Sequence, residues 1–325
     1  MRVLVTGATG FLGGRLSRML MAEGADVLAT GRDRQPGAEL AAAGARFVPA
    51  DLSTTRGHAL AELFGPVDAV VHAAALSSAW GRREAFMAAN VTATRNLRDF
   101  ASAAGVKRLV LVSTPAVTFC FADRLGIREN EPLPPPVNAY AETKRIAEEE
   151  TLADTRLEAM VLRPRAIYGR GDKALLPRLV RAAKFGPLPL LRGGRAVVNL
   201  THVDDSCRAI LAALAAPPGL RGVWNISCEE ELPVRAIAES AAARSGVAVR
   251  WRSVPWPLAR EAVRLSEWRA LLTPGRPEPP ITRYGLGLLA FSQTLDVSAA
   301  KRDLGFAAAI GFEEGLRLTF GEGTP

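Results

Sequence analysis

Over the first 165 residues, short apolar runs alternate with longer stretches in which apolar side chains recur every three to four positions. The runs at 2–6, 26–30, 45–48, 67–72, 107–113 and 157–162 read as strands. Between them, 12–23, 84–104 and 139–153 carry helical spacing, as in Leu12, Leu16, Met19 and Leu20. This rhythm of repeated βαβ units predicts an α/β fold, a doubly wound parallel sheet with helices on both faces. In such a sheet a ligand lies at the C-terminal ends of the strands.

Beyond residue 165 the rhythm loosens, with turn signals at 169–172, 186–189, 192–194 and 217–219. The expected division is a dinucleotide-binding domain over 1–165, to which part of 198–227 returns. A smaller C-terminal substrate region then occupies most of 166–325. The prolines of Glu131 to Asn138 exclude helix and central strand, so this segment is a loop from which Tyr140 opens a helix. A Pro-rich piece at 274–280 precedes an apolar run at 285–291, and the final GEGTP is expected to fray.

Composition narrows the class. With 325 residues, 48% hydrophobic and 23% charged, the chain can build a sizeable core. No apolar run approaches the ~18 residues that cross a bilayer. Residues 1–20 hold a glycine turn where a signal peptide needs an unbroken apolar stretch, so a cytoplasmic protein without a transmembrane segment is expected. Cys120, Cys207 and Cys228 lie far apart, without CxxC pairs or clustered histidines, which argues against a disulfide framework and a zinc site; no metal is expected. The net charge of +8 comes from scattered arginines without a basic block. That pattern points away from nucleic acid and towards a solvated surface serving an anionic cofactor or small-molecule substrate.

The first candidate site follows the first strand. After Val3, Leu4, Val5 and Thr6, glycines fall at Gly7, Gly10 and Gly13, with Thr9, Phe11 and Leu12 between them. Glycine lets the backbone turn sharply and lets a large anion approach where a Cβ would obstruct it. The helix beginning near Phe11 offers free N–H groups and a positive dipole end to a pyrophosphate. This is a Rossmann-type dinucleotide site by its context, because glycine turns of this spacing also occur where nothing binds.

The second strand ends in Ala29, Thr30, Gly31 and Arg32, without the acid that usually meets an NAD ribose. Arg32 suits a 2′-phosphate, which favours NADP over NAD; the alternative leaves Arg32 on the surface and gives the ribose hydroxyl to Asp33. After the third strand, Asp51 and Leu52 can meet the adenine, although an Asp there also serves as a helix cap. Ala73, Ala74 and Ala75, after His72, are small enough for a ribose and nicotinamide to lie against the backbone.

Tyr140 and Lys144 lie four residues apart on one helix face, which brings an ammonium towards a phenol. A cation there favours the phenolate and fits Tyr140 for proton exchange with a carbinol or carbonyl oxygen. Ser113 and Thr114, at the end of the fifth strand, put hydroxyls at the same sheet edge.

Together these pieces resemble an extended short-chain dehydrogenase/reductase. Asn90-Val91, Leu162-Arg163-Pro164 with Tyr168-Gly169, and Thr201-His202-Val203-Asp204-Asp205 add to the likeness, in order and over the whole chain. The resemblance implies a catalytic set of Thr114, Tyr140 and Lys144, supported by Ser113, with Asn90 holding the geometry and Pro164 among the cofactor contacts. It also implies a homodimer through the helices at 84–104 and 139–153.

The chain is most similar to the 3β-hydroxysteroid dehydrogenase-like branch, and there to bacterial 2-alkyl-3-oxoalkanoate reductases. Ala79-Trp80-Gly81, STPAVT at 113–118, LRPRAIYGRGD at 162–172 and EPPITR at 278–283 carry that similarity. It implies reduction of a ketone, or oxidation of the secondary alcohol, on an apolar substrate lined by Trp80, Thr114, Ala116 and Tyr168. Two other readings stand beside it. One is a nucleotide-sugar epimerase or dehydratase, for which Arg163, Arg165, Arg178, Arg192 and Arg195 would cradle a diphosphate. The other is a non-catalytic NAD(P)-binding regulatory protein, for which the Tyr140–Lys144 pair would have no use.

Overall fold

The computed structural model describes residues 1–321, so the expected fraying at 322–325 lies outside the described residues. Seven parallel strands form the central sheet: β1 (Arg2–Thr6), β2 (Asp26–Gly31), β3 (Arg46–Pro49), β4 (Ala69–His72), β5 (Arg108–Val112), β6 (Glu158–Pro164) and β7 (Gly222–Ile226). Their spatial order is β7-β6-β5-β4-β1-β2-β3. The chain leaves β1 towards β2 and β3, then crosses back to β4 on the other side of β1. That reversal opens a crevice at the C-terminal ends of β1 and β4.

Alternation along β1 explains the two covered faces. Val3 and Val5 point into one core with Leu16 and Leu20 of α1 (Phe11–Ala22) and with Cys207, Ile210 and Ala213 of the helix Val203–Ala215. Leu4 points the other way, into a core with Leu60, Phe64, Leu97 and Phe100. The helix Val203–Ala215 therefore packs on the central sheet, and β7 extends that sheet beyond β6. Buried Arg108 ties the two together: its guanidinium pairs with Glu158 at 2.7 Å and donates to the carbonyls of Ala213, Leu214, Ala216 and Pro217 at the helix end.

The stretch expected as one helix over 84–104 differs in detail. It is a rod of three pieces, an α-turn Arg83–Phe86, a π-helical segment Met87–Thr92 and an α-helix Ala93–Ala103. The wider π turn re-aims Asn90 inwards. The helix Ala139–Ala153 begins at Asn138, whose side chain accepts from the Ala141 N–H at 2.8 Å.

The remaining segments form a smaller layer beside the C-terminal ends of β5 and β6. A four-stranded sheet joins Leu232–Pro233, Val197–Val198, Gln293–Leu295 and Arg124–Ile127. Helices Trp256–Leu272 and Arg283–Ala290 pack there through Val263, Leu286 and Phe291. Among the described residues no helix is long and apolar enough to cross a membrane, no cysteine is in a disulfide, and no His/Cys/Asp/Glu cluster could hold a metal.

Candidate active site

A cavity of about 620 Å³ follows the C-terminal edge of the sheet. Gly7, Thr9, Gly10, Phe11, Leu12 and Gly13 line its middle, where β1 turns into α1. Gly7 adopts φ +66°, and a Cβ there would lie 2.7 Å from the Ala74 backbone nitrogen. A Cβ on Gly13 would lie 2.3 Å from the Gly7 carbonyl oxygen. The glycines thus allow the turn and the helix to close against β4.

At one end the cavity is lined by Arg32, Asp33, Asp51 and Leu52. Arg32 is exposed, with no hydrogen bond or ion pair among the described residues, whereas Asp33 accepts from the Gln35 N–H at 3.1 Å and caps a helix. Asp51 closes a turn by accepting from the Ser53 N–H at 2.9 Å and hydroxyl at 2.6 Å; these bonds, aided by Arg32, hold its carboxyl below the usual range. The other end is lined by Ala73, Ala74, Ala75, Ser113, Thr114, Tyr140, Lys144 and Pro164.

A hydrogen-bond chain fixes the floor between the two ends. The Thr94 hydroxyl donates to the Asn90 carbonyl at 2.6 Å, so towards His72 it accepts from Nε2–H at 2.9 Å. The bare His72 Nδ1 then accepts from the Thr6 hydroxyl at 2.7 Å, which itself accepts from the Ala74 N–H. Burial, with Lys144 nearby, pushes the His72 pKa down to about 3, so this imidazole is neutral and structural. Asn90 completes the frame: its amide accepts from the Leu76 N–H at 2.8 Å and donates to the Leu76 carbonyl and to Thr143. It stands behind the cavity wall and acts by positioning.

Thr114, whose hydroxyl accepts from the Ala116 N–H at 3.1 Å, lines the same end of the cavity as Tyr140 and acts to lower the phenol's pKa. Burial nevertheless raises the Tyr140 pKa, helped by Tyr284 and Glu148 and opposed by Thr114. Lys144 is not among the groups that act on the phenol here. The Lys144 ammonium instead donates to the Val112 carbonyl at 2.7 Å. Lys144 is itself buried, which lowers its pKa to about 8 against the pull of Glu148. Glu148 in turn is held by Arg163, at 2.6 Å, with both side chains almost fully buried.

Three residues expected at the substrate do not line this cavity. Tyr168 is 1% exposed and belongs to a core, edge-on to His202 and Phe312 and against Gly315, because its short strand Ile167–Tyr168 turns it away from the cavity. Ala116 is buried in the turn Pro115–Thr118 and contributes only its N–H to Thr114. Trp80 ties its loop to the Pro-rich piece through an Nε1–H bond to the Arg276 carbonyl at 3.0 Å. The cavity edge also includes Asp172, missed in the sequence, whose carboxylate accepts from three N–H groups, those of Ala174, Leu175 and Leu176.

An extended dinucleotide fits this cavity. Thr30 at one end and Ser113 at the other border it with buried hydroxyls that have no partner in the protein. The glycine turn lies between them, with backbone close enough to the wall to leave room for a pyrophosphate.

Comparison with known proteins agrees with this geometry. Residues 3–227 match the NAD dependent epimerase/dehydratase family. The chain is 35% identical to a 2-alkyl-3-oxoalkanoate reductase of Stenotrophomonas maltophilia, covering 98% of each chain. It is 32% identical to a 4-hydroxy-2-methyl-3-oxo-4-farnesyl-3,4-dihydroquinoline-1-oxide ketoreductase of Stigmatella aurantiaca, over 97% of this chain and 95% of the other. Among solved structures it resembles a dTDP-glucose 4,6-dehydratase from Streptomyces venezuelae with NAD bound, with 28% identity, TM-score 0.77 and coverage of 98% and 96%. The chain therefore belongs to the NAD-dependent epimerase/dehydratase family and is an NAD-dependent enzyme of the extended short-chain dehydrogenase/reductase type.

Proposed function

We propose that the enzyme reduces the ketone of an apolar 3-oxoalkanoate-like substrate, with NADPH preferred over NADH and Tyr140 as the proton donor. The gathering of Thr114, Tyr140 and Lys144 at the end of the dinucleotide track carries this reading. The bound dihydronicotinamide would supply the hydride. Tyr140, kept protonated by burial, is ready to give its proton to the substrate oxygen as negative charge develops there. Thr114, fixed by the Ala116 N–H, orients that oxygen. Lys144 keeps a positive charge behind the site from its seat on Val112.

An apolar substrate is supported by an aromatic cluster near Tyr140, in which Phe121 is exposed and Tyr284 half-buried while Phe86 and Phe119 lie in the core. Phe86 lies 6.5 Å from the Tyr140 ring, and Phe119 packs edge-on to Tyr284 at 5.1 Å and to Phe121 at 5.4 Å. The preference for NADPH is supported by the unpaired Arg32 and by the use of Asp33 as a helix cap. The two relatives with reductase names point the same way.

The likeness to the dTDP-glucose dehydratase favours a second reading, a nucleotide-sugar epimerase or dehydratase. Against it, three of the five arginines expected to cradle a diphosphate, Arg163, Arg178 and Arg192, are already paired with Glu148, Glu278 and Asp123, which leaves Arg165 and Arg195. The test is NADPH oxidation with long-chain 3-oxo acids, 3-oxo-sterols and UDP-sugars side by side. Turnover on the 3-oxo acids is expected; conversion of the sugars alone, with NAD retained through purification, would refute the proposal.

A further inference from the structure

Three arginines are buried among the described residues, Arg108, Arg163 and Arg165. Arg108 is satisfied by Glu158 and four carbonyls, and Arg163 has its counter-charge in Glu148, although its Nη1 has no hydrogen-bond partner among the described residues. Arg165 is 6% exposed, yet its guanidinium has no hydrogen bond or ion pair among the described residues, and its Nε is fully enclosed. A buried cation without a counter-charge is costly, so such a group persists where a ligand completes it.

The position is built firmly. Arg165 directly follows β6, between Pro164 and Ala166, which line the dinucleotide cavity while Arg165 itself does not. Its N–H donates to the Ile226 carbonyl at 2.9 Å, and its carbonyl accepts from the Thr201 hydroxyl at 2.7 Å. Ala166 takes φ +44°, a left-handed backbone that a non-glycine residue adopts only when its surroundings impose it. The chain is thus bent at the point where Arg165 leaves the sheet.

Tyr284, near the start of the helix Arg283–Ala290, links this arginine to the reaction centre. Its ring packs on Phe119 at 5.1 Å; burial raises its pKa and Arg165 lowers it, and it in turn helps to raise that of Tyr140. Burial lowers the Arg165 pKa only to about 10, so the guanidinium is charged at neutral pH.

We propose that Arg165 is the anion-binding residue of the substrate pocket, holding the carboxylate of a 3-oxo acid whose ketone meets Tyr140. This rests on the function proposed above and extends it to a charged head group. In a 3-oxo acid a single carbon separates the carboxylate from the ketone, which suits two anchoring groups that share Tyr284 as a neighbour. One unpaired guanidinium matches one carboxylate, and a diphosphate would need more.

The experiment compares wild type, Arg165→Gln and Arg165→Lys on a long-chain 2-alkyl-3-oxoalkanoate and on its methyl ester. Arg165→Gln is expected to raise KM for the acid by about 10- to 100-fold, the worth of a charge-assisted hydrogen bond. The ester should stay within about twofold of its wild-type kcat/KM, and Arg165→Lys should recover part of the loss on the acid. Melting should show no loss of stability in Arg165→Gln, since it removes an unpaired buried charge.

A turnover-free arm uses calorimetric binding of a long-chain fatty acid and the matching fatty alcohol. Wild type should prefer the acid, and Arg165→Gln should lose that preference. Equal loss on acid and ester, or equal binding of acid and alcohol by wild type, would overturn the assignment. If wild type reduces no 3-oxo acid but still prefers the fatty acid through Arg165, the proposed reaction fails and the anion site stands.

Discussion

Lys144 offers the sharpest conflict between stability and function. The residue is 2% exposed, and burial lowers its pKa from 10.5 to about 8. At about 1.4 kcal/mol for each tenfold change in proton affinity, keeping this charge costs the folded protein about 3 kcal/mol at pH 7. The one hydrogen bond it makes, to the Val112 carbonyl, returns about 1–2 kcal/mol. Lys144→Met should therefore stabilise the cofactor-free protein by about 1–2 kcal/mol at pH 7 while removing turnover.

The pH dependence follows from the sign of the shift. Below pH 8 both the folded and unfolded lysine are charged, and the whole penalty is present. Between about 8 and 10.5 the unfolded chain binds more protons than the folded one, so wild-type stability rises with pH. The advantage of Lys144→Met should shrink across that window. Urea unfolding of both proteins at pH 7 and at pH 10 measures it. A variant less stable than wild type at pH 7, or a gap that does not change with pH, would refute the reasoning.

Other substitutions test other parts of the account. Gly13→Ala places a Cβ 2.3 Å from the Gly7 carbonyl, so the turn must shift; NADPH affinity should fall by about 100-fold, and binding within about threefold of wild type would contradict this. Arg32→Ala should raise KM for NADPH at least about tenfold with little change for NADH, and an unchanged ratio would remove Arg32 from the 2′-phosphate. Arg108→Met strands Glu158 and four carbonyls at a helix end; a loss of about 3 kcal/mol is expected in urea melts, and a loss under about 1 kcal/mol would contradict it.

The parts of this protein that were legible in the sequence are those written locally. The glycine spacing, the apolar strand runs and the four-residue step from Tyr140 to Lys144 each depend on neighbours a few positions away. Strands expected at 26–30, 107–113 and 157–162 form at Asp26–Gly31, Arg108–Val112 and Glu158–Pro164, displaced by only one or two residues at their ends. What depends on distant partners was not legible. Asn90 reaches Leu76 through a π turn that helical spacing does not announce. Tyr168 lies in a motif beside cavity residues, but its direction is set by Phe312 and Gly315, nearly 150 residues later in the chain. The role of Asp33 stayed open until its bond to the Gln35 N–H was seen. Arg165 looks like any other arginine in the sequence, and becomes distinct only once every buried carboxylate has been assigned to another partner.

The central claim is that Tyr140 gives the proton to a ketone oxygen. Single-turnover oxidation of NADPH by Tyr140→Phe, with a long-chain 3-oxo acid, tests it most directly. The account predicts an unchanged NADPH affinity and a hydride-transfer rate lower by about 10² to 10⁴. A Phe variant that turns over at the wild-type rate would contradict it.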